Sequence, residues 1–346
     1  MEIWTTFTPS KVSWELTCAM TKGKSATSAW QKDLTLINKS LSKLRSAGIS
    51  GIRLVIYPFE ITQNGNKFNW ESVEKMLMLT TKNKLKCDLC IGPFQYPNYP
   101  GIYLPEGLIE YIYDNKNFLD TTQELWNYGM SFIKLQIERF GNDKRVNGFH
   151  LANEWPDSQK VFGKESVKKS VSLAFMLSVA TFLKDNTLKP ICLNTNIDAG
   201  DKNKLLRTFK EILNILGKQG RLGFDVYPSQ ESWKKTTAQK LRRFFWSYNH
   251  SFSSIKKCFY NNEIYFSEVE AQPWGGGQSW YQLISEENWQ DERILNYHRN
   301  SLGKAFNKYI KNSDCNFISL WGSDFWLVAS TMGVDWPLNQ IKQIFS

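Results

Sequence analysis

Two carboxyl groups stand out by the residues around them. Glu154 falls in the run Gly148-Phe149-His150-Leu151-Ala152-Asn153-Glu154-Trp155-Pro156, where an apolar stretch passes straight into Asn-Glu-Trp-Pro. Glu268 follows Ile264-Tyr265-Phe266-Ser267 and leads into Val269-Glu270-Ala271-Gln272-Pro273-Trp274. In each case a carboxyl emerges where a buried strand would meet the rim, beside aromatic surface. Such a group can transfer a proton or attack carbon. Two of them facing across a cleft are what cleavage of a glycosidic bond needs. One, kept protonated, donates to the leaving oxygen, and the other attacks the anomeric carbon or activates water. A separation of roughly 5–5.5 Å gives retention and roughly 6.5–9.5 Å gives inversion. A single Glu at a strand end is ordinarily a surface or salt-bridged side chain. Repetition of the same setting favours the chemical reading.

The elements that must position these residues alternate along the chain. Short β-branched or aromatic runs are followed by longer amphipathic stretches, the pattern of βα units. It predicts strands at 12–19, 51–57, 85–91, 145–151, 190–193, 222–226, 264–267 and 317–321. Helices are expected at 33–47, from Asn69 as cap to about 82, up to Phe140, and at 164–183, 202–216, 237–248 and 288–309, with a short closing one from 339. Gly48 stands where a helix end needs a left-handed residue. Eight units fit an α/β fold of the closed (β/α)8 TIM-barrel type. With no Ser/Gly linker and no repeat of fixed period, 1–346 reads as a single domain. No glycine-rich phosphate loop follows any strand, which argues against a doubly wound sheet. In such a barrel the C-terminal strand ends and the loops after them build the active site. Strands four and seven lie across the mouth from each other, and these are the strands that carry Glu154 and Glu268.

Composition narrows the alternatives. Aromatic residues make up 14% of the chain and include 14 Trp, enough for a packed core with rings left over to stack on sugars. The net charge of +10 comes largely from lysine. Lys164, Lys168 and Lys169, and Lys234, Lys235, Lys240, Arg242 and Arg243, fit solvated faces of expected helices. Attraction to an anionic polymer is the other reading. No zinc-finger spacing, basic heptad region or aromatic RNA-binding signature points to nucleic acid. No apolar stretch reaches the ~20 residues that span a bilayer. Met1-Glu2-Ile3-Trp4-Thr5-Thr6 lacks the basic start and apolar run of a signal peptide, so the expected location is cytoplasmic, or secreted if a signal has been removed. Of six cysteines, Cys18, Cys87, Cys90, Cys192 and Cys315 fall in expected strands, where a thiol packs as a small hydrophobe. Cys87 and Cys90 would point to opposite faces of their strand. Three histidines, His150, His250 and His298, offer no metal-ligand spacing, and no metal or cofactor is expected.

Asn153-Glu154 and Glu268, on the fourth and seventh expected strands, resemble the motif pair of clan A of the glycoside hydrolases, the retaining (β/α)8 enzymes. More narrowly, Ser267-Glu268-Val269-Glu270-Ala271-Gln272-Pro273-Trp274 is similar to a Glu-Leu-Gln-Ala-Glu-Pro-Trp motif of cellulase-like bacterial proteins. Leu320-Trp321-Gly322-Ser323-Asp324-Phe325-Trp326 resembles their Trp-Gly-Ala-Glu-Tyr-Trp segment. Pro97-Asn98-Tyr99-Pro100-Gly101-Ile102-Tyr103-Leu104-Pro105 is also similar. The likeness runs from about Trp14 to Trp336. It implies Glu154 as general acid/base and Glu268 as nucleophile. It further implies Arg53 as the cation beside that nucleophile, Asn153 as the partner of the sugar 2-hydroxyl, Tyr227 as a hydrogen-bond partner of the nucleophile, and Trp321 as the sugar platform. Trp155, Trp274, Phe94 and Tyr96 are further rim candidates, each with core packing as its ordinary alternative. Glu270 and Gln272 exchange the residue types of the narrower motif, which makes Glu270 a rival nucleophile. The resemblance implies an oligo- or polysaccharide substrate, β-linked, cleaved by double displacement. The competing readings are a carbohydrate-binding barrel without activity and a transglycosylase, and, less favoured by the few histidines, a metal-dependent hydrolase.

Overall fold

The computed structural model describes residues 1–20, 30–32, 34–63, 67–94, 102, 104–112, 116–151, 153–154, 159–161, 164–196, 202–226, 259, 261–270 and 315–345. Eight strands form a closed barrel: β1 (Glu2–Phe7), β2 (Gly51–Leu54), β3 (Lys86–Cys90), β4 (Gly148–His150), β5 (Ile191–Asn196), β6 (Gly220–Val226), β7 (Glu263–Glu270) and β8 (Phe317–Trp321). Each is parallel to its sequence neighbours, and β1 closes the ring against β8 through pairs such as Thr5 with Leu320. The fold is the expected (β/α)8 barrel. Around it lie α1 (Pro9–Met20), α2 (Leu34–Ser46), α3 (Glu71–Lys82), α4 (Gln123–Phe140), α5 (Leu173–Asn186), α6 (Lys202–Leu216), α7 (Ser323–Thr331) and α8 (Trp336–Phe345).

Alternation along each strand divides the core in two. Ile52 and Leu54, Cys87 and Leu89, Ile191 and Leu193, and Leu222 and Phe224 face outward into one continuous cluster with the helices. Ile37, Leu41 and Leu44 of α2 and Phe132, Ile133, Ile137 and Phe140 of α4 meet them there at helical spacing. The alternate residues point into the barrel. Trp4, Cys192, Tyr265 and Phe317 fill its lower part, with the Tyr265 and Phe317 rings stacked at 4.2 Å. Gly51 makes room for this layer, since a Cβ there would lie 2.5 Å from the Trp4 indole. Val55, Tyr57 and Cys90 cluster separately. Cys87 and Cys90 therefore do face opposite ways, and Cys87, Cys90, Cys192 and Cys315 are buried free thiols.

Several expected boundaries are corrected. The first strand is Glu2–Phe7, and 12–19 belongs to α1, which starts on Pro9 and buries Val12 and Leu16 while Trp14 is exposed. Cys18 accordingly sits in a helix. The stretch from Lys164 to Lys169 is a strand paired antiparallel with 159–161, and α5 starts only after the Ser172 hydroxyl caps it by accepting from the Phe175 N–H. Lys169 is buried and donates to the Lys116 carbonyl, so it does not belong to a solvated helix face. Two helices rather than one follow β8. Gly48 has the expected left-handed backbone, φ 97°. The cap of α3 is Trp70 rather than the expected Asn69, which stands one residue earlier with its side-chain oxygen accepting from the Glu71 N–H at 2.9 Å. The expected helices at 237–248 and 288–309 lie outside the described residues, as do Lys234, Lys235, Lys240, Arg242 and Arg243.

Candidate active site

The carboxyl-terminal strand ends bring together residues from β1, β2, β4, β5, β6 and β7. Arg53, on β2, is buried and points into the barrel. Its Nε and Nη2 donate to the Thr6 hydroxyl of β1 at 3.0 and 2.6 Å. Its Nη1 meets His150 Nε2 of β4 at 3.1 Å. Its Nη2 also donates to Glu268 Oε1, forming an ion pair in which both side chains are almost fully buried. Burial works against the guanidinium charge, but Glu268, followed by Cys90, Asp225 and Tyr265, more than offsets it and raises the pKa of Arg53. Burial first, and the Arg53 charge second, push His150 well below the usual histidine range. A neutral imidazole accepts at Nε2 and carries its proton on Nδ1.

A bulge aims Glu268. Phe224 pairs with Phe266, but the next pair is Asp225 with Glu268, so one extra residue, Ser267, is inserted into β7. Such an insertion bends the strand and redirects side chains. Ser267 and Glu268 both reach inward as a result, Ser267 to Asp225 Oδ1 at 2.6 Å and Glu268 to Arg53.

At the end of β4, Asn153 is buried and Glu154 is half-buried, with Glu154 in a left-handed conformation at φ 48°. The Glu154 N–H donates to Asn194 Oδ1 of β5 at 3.3 Å. Asn194 Nδ2 donates to Asn153 Oδ1 at 3.1 Å and to Asp225 Oδ2 at 2.7 Å. Burial, then the charges of Glu268 and Glu154, push the Asp225 carboxyl well above the usual range. On β8, Trp321 is 7% exposed, and Lys11 Nζ stands 5.8 Å from its ring centre and 2.6 Å from Asp324 Oδ2.

The structure thus gathers Arg53, Asn153, Glu154 and Glu268 at one end of the barrel, with Trp321 at the end of β8. Phe94 is different: it is 1% exposed and packs on Phe175 at 5.5 Å and Tyr128 at 6.2 Å, so it fills the core and offers no face to a sugar. Tyr96, Trp155, Tyr227 and Trp274 lie outside the described residues, as does the side chain of Glu270. Sequence reasoning misses Thr6, His150, Asn194, Asp225 and Ser267 as members of the site. Their one signal is that each stands beside an outward apolar residue of its strand (Phe7, Phe149, Leu193, Phe224 and Phe266), a pattern shared with solvent-facing positions. Among the described residues no group of His, Cys, Asp and Glu is arranged to hold a metal, and no helix is long and apolar enough to cross a membrane.

Comparison with known proteins bears on the fold. No protein-family model and no curated protein matches the sequence. Solved structures do match. A β-galactosidase from the psychrophilic Marinomonas ef1 aligns at 10% identity and TM-score 0.55, covering 99% of this chain; the chain spans 62% of that protein. A GH5_18 protein of Streptomyces cattleya in complex with Manβ1-4GlcNAc aligns at 11% identity and TM-score 0.60, over 93% of this chain and 71% of the other. A glycoside hydrolase family 5 mannosidase from Rhizomucor miehei aligns at 9% identity and TM-score 0.56, over 99% and 94%. What these structures share with the chain is the fold, a (β/α)8 barrel.

Proposed function

We propose that this chain is a retaining glycoside hydrolase, a single catalytic barrel over 1–346 that cleaves a β-linked oligo- or polysaccharide. The observation that carries the reading is the buried Arg53–Glu268 pair at the seventh strand of a barrel whose fourth strand, Gly148–His150, leads into Asn153-Glu154. A binding module has no need of a buried carboxylate held by a guanidinium across the mouth from a second carboxyl. In the first step Glu268 Oε attacks the anomeric carbon, the bond to the leaving oxygen breaks, and the Glu154 proton passes to that oxygen. In the second, Glu154 takes a proton from water as the water oxygen displaces Glu268, and the free sugar leaves. Arg53 holds the Glu268 carboxylate in place, and the Asn153 amide faces the sugar ring. The Manβ1-4GlcNAc bound by the Streptomyces cattleya protein is an instance of the substrate class.

The test is hydrolysis of a panel of aryl glycosides and oligosaccharides by wild type, Glu154→Ala, Glu268→Ala and Glu270→Ala. The expected result is turnover that Glu268→Ala abolishes and Glu270→Ala retains. Glu154→Ala should lose about 10²–10⁴-fold on substrates with poor leaving groups and far less on activated ones. Loss in Glu270→Ala alone would reassign the nucleophile. Binding of a glycan without turnover would replace the enzyme reading by that of a carbohydrate-binding barrel.

A further inference from the structure

We propose that Asn194 and Asp225 are positioning residues: a buried relay from Ser267 through Asp225 and Asn194 holds the backbone of Glu154 and the amide of Asn153 in their working orientation. The proposal rests on the reading of Glu154 as the acid/base.

Glu154 has φ 48°. A left-handed backbone costs a residue with a Cβ about 1–2 kcal/mol, so something must hold it there. Asn194 supplies a contact, its side-chain oxygen accepting the Glu154 N–H at 3.3 Å. The two donors of the same amide go to Asn153 Oδ1 and Asp225 Oδ2. The Glu154 N–H selects this orientation, because turning the amide over would set its NH2 against that N–H. Asp225 fixes Asn194, and Asn194 fixes two neighbours at once. Because Asn153 Oδ1 is occupied, its NH2 is the end left to meet a substrate hydroxyl.

The relay also joins the two halves of the proposed chemistry. Asp225 Oδ1 is bound by the Ser267 hydroxyl, the residue before Glu268 at the bulge. The chain of contacts therefore runs across four adjacent strands, from β7 through β6 and β5 to β4. Asn194, Asp225 and Ser267 are each no more than 1% exposed, so water does not substitute for a lost partner without opening the wall. Burial and the two neighbouring carboxyls favour a protonated Asp225. In that form Oδ1 can donate to Ser267 while Oδ2 still accepts from Asn194, and the relay keeps its sense.

The experiment compares wild type, Asn194→Ala, Asp225→Ala and Asp225→Asn on a dinitrophenyl glycoside and on an unactivated disaccharide of the same sugar, with crystal structures of the variants. Misplacing the acid should lower kcat/KM on the disaccharide about 10²-fold in Asn194→Ala and Asp225→Ala. The dinitrophenyl substrate, whose leaving group needs little proton help, should lose less than about tenfold. Asp225→Asn can keep both hydrogen bonds and should stay within a few-fold of wild type. Residue 154 should return to negative φ in Asn194→Ala. Should that variant fail to fold, Asp225→Ala provides the same readings. Equal losses on both substrates would indicate general loosening and overturn the proposal. So would residue 154 keeping its positive φ, or Asp225→Asn falling as far as Asp225→Ala. Absence of turnover by wild type on any glycoside would refute the functional reading instead, and the crystal structures would still decide the relay.

Discussion

Asp88 offers a way to probe the charges inside the barrel while leaving the proposed chemistry intact. It sits on β3 two residues before Cys90, fully buried, with Asn147 Nδ2 at 3.2 Å and Cys192 Sγ at 3.9 Å. Burial raises its pKa from 3.8 to about 6, against the lowering effects of the Asn147 contact, Arg221, Arg53 and Cys192. In the unfolded chain the carboxyl loses its proton near pH 4. Between about pH 4 and 6 the folded protein therefore holds a proton that the unfolded chain has released. Stability from this group is complete below about pH 4 and is lost as the pH rises through about 6. A shift of about two units at about 1.4 kcal/mol each amounts to about 3 kcal/mol. For 346 residues the unfolding entropy is about 0.7 kcal/mol per kelvin, so the expected movement in Tm is about 4 °C. Asp88→Asn is close in shape and cannot ionise. Measured by urea denaturation, the stability of the variant relative to wild type should rise by about 3 kcal/mol between pH 4 and pH 7. Taking the difference between the two proteins cancels the other titrating groups, including His150, whose lowered pKa acts with the opposite sign. A difference that stays flat across this range would show that Asp88 is ionised throughout, and the account of the interior would fall.

Two further substitutions test the frame of the site. Arg53→Met should cost about 3–5 kcal/mol, because it leaves the Glu268 carboxylate buried without its partner, and Arg53→Met/Glu268→Gln should recover much of that. A single-variant cost below about 1 kcal/mol in urea denaturation would mean that the pair is solvated. Gly51→Ala places a methyl 2.5 Å from the Trp4 indole and should cost about 1–3 kcal/mol through overpacking. An unchanged Tm would show that Trp4 has room to move.

The barrel is legible in the sequence because its outward faces obey simple rules. Strand β8 and helix α6 fall on the expected residues, and Gly48 ends α2 as a left-handed glycine should. The first strand misleads for a physical reason. Val12, Trp14, Leu16 and Cys18 alternate as a half-buried strand would, yet Pro9 starts a helix there and Trp14 ends up in solvent. Lysines at 164, 168 and 169 read as a helix face, although the local pairing is that of a hairpin. Glu154, Glu268, Asn153 and Arg53 are readable because they stand at strand ends or within recognisable motifs. Asn194 and Asp225 are not, because alternation usually assigns a polar residue in a strand to the solvent side. A closed barrel has no such side. Its inner face is buried as well, and near the mouth that face is where polar groups pair with one another.

This pairing explains why the residue at 53 needs to be arginine. Its planar fork reaches three strands at once, Thr6 on β1, His150 on β4 and Glu268 on β7. A lysine ammonium is a point charge on a flexible stem and could not span the same partners with fixed geometry. His150 contributes by being neutral: held below its usual range, it accepts from Arg53 and adds no second positive charge. Asp225 contributes by the opposite shift, since a carboxyl pushed upward adds no second anion beside Glu268. The guanidinium charge is thus left to Glu268, in a setting from which water is largely excluded. There a fixed ion pair holds the Glu268 carboxylate more firmly than the same pair could at the surface.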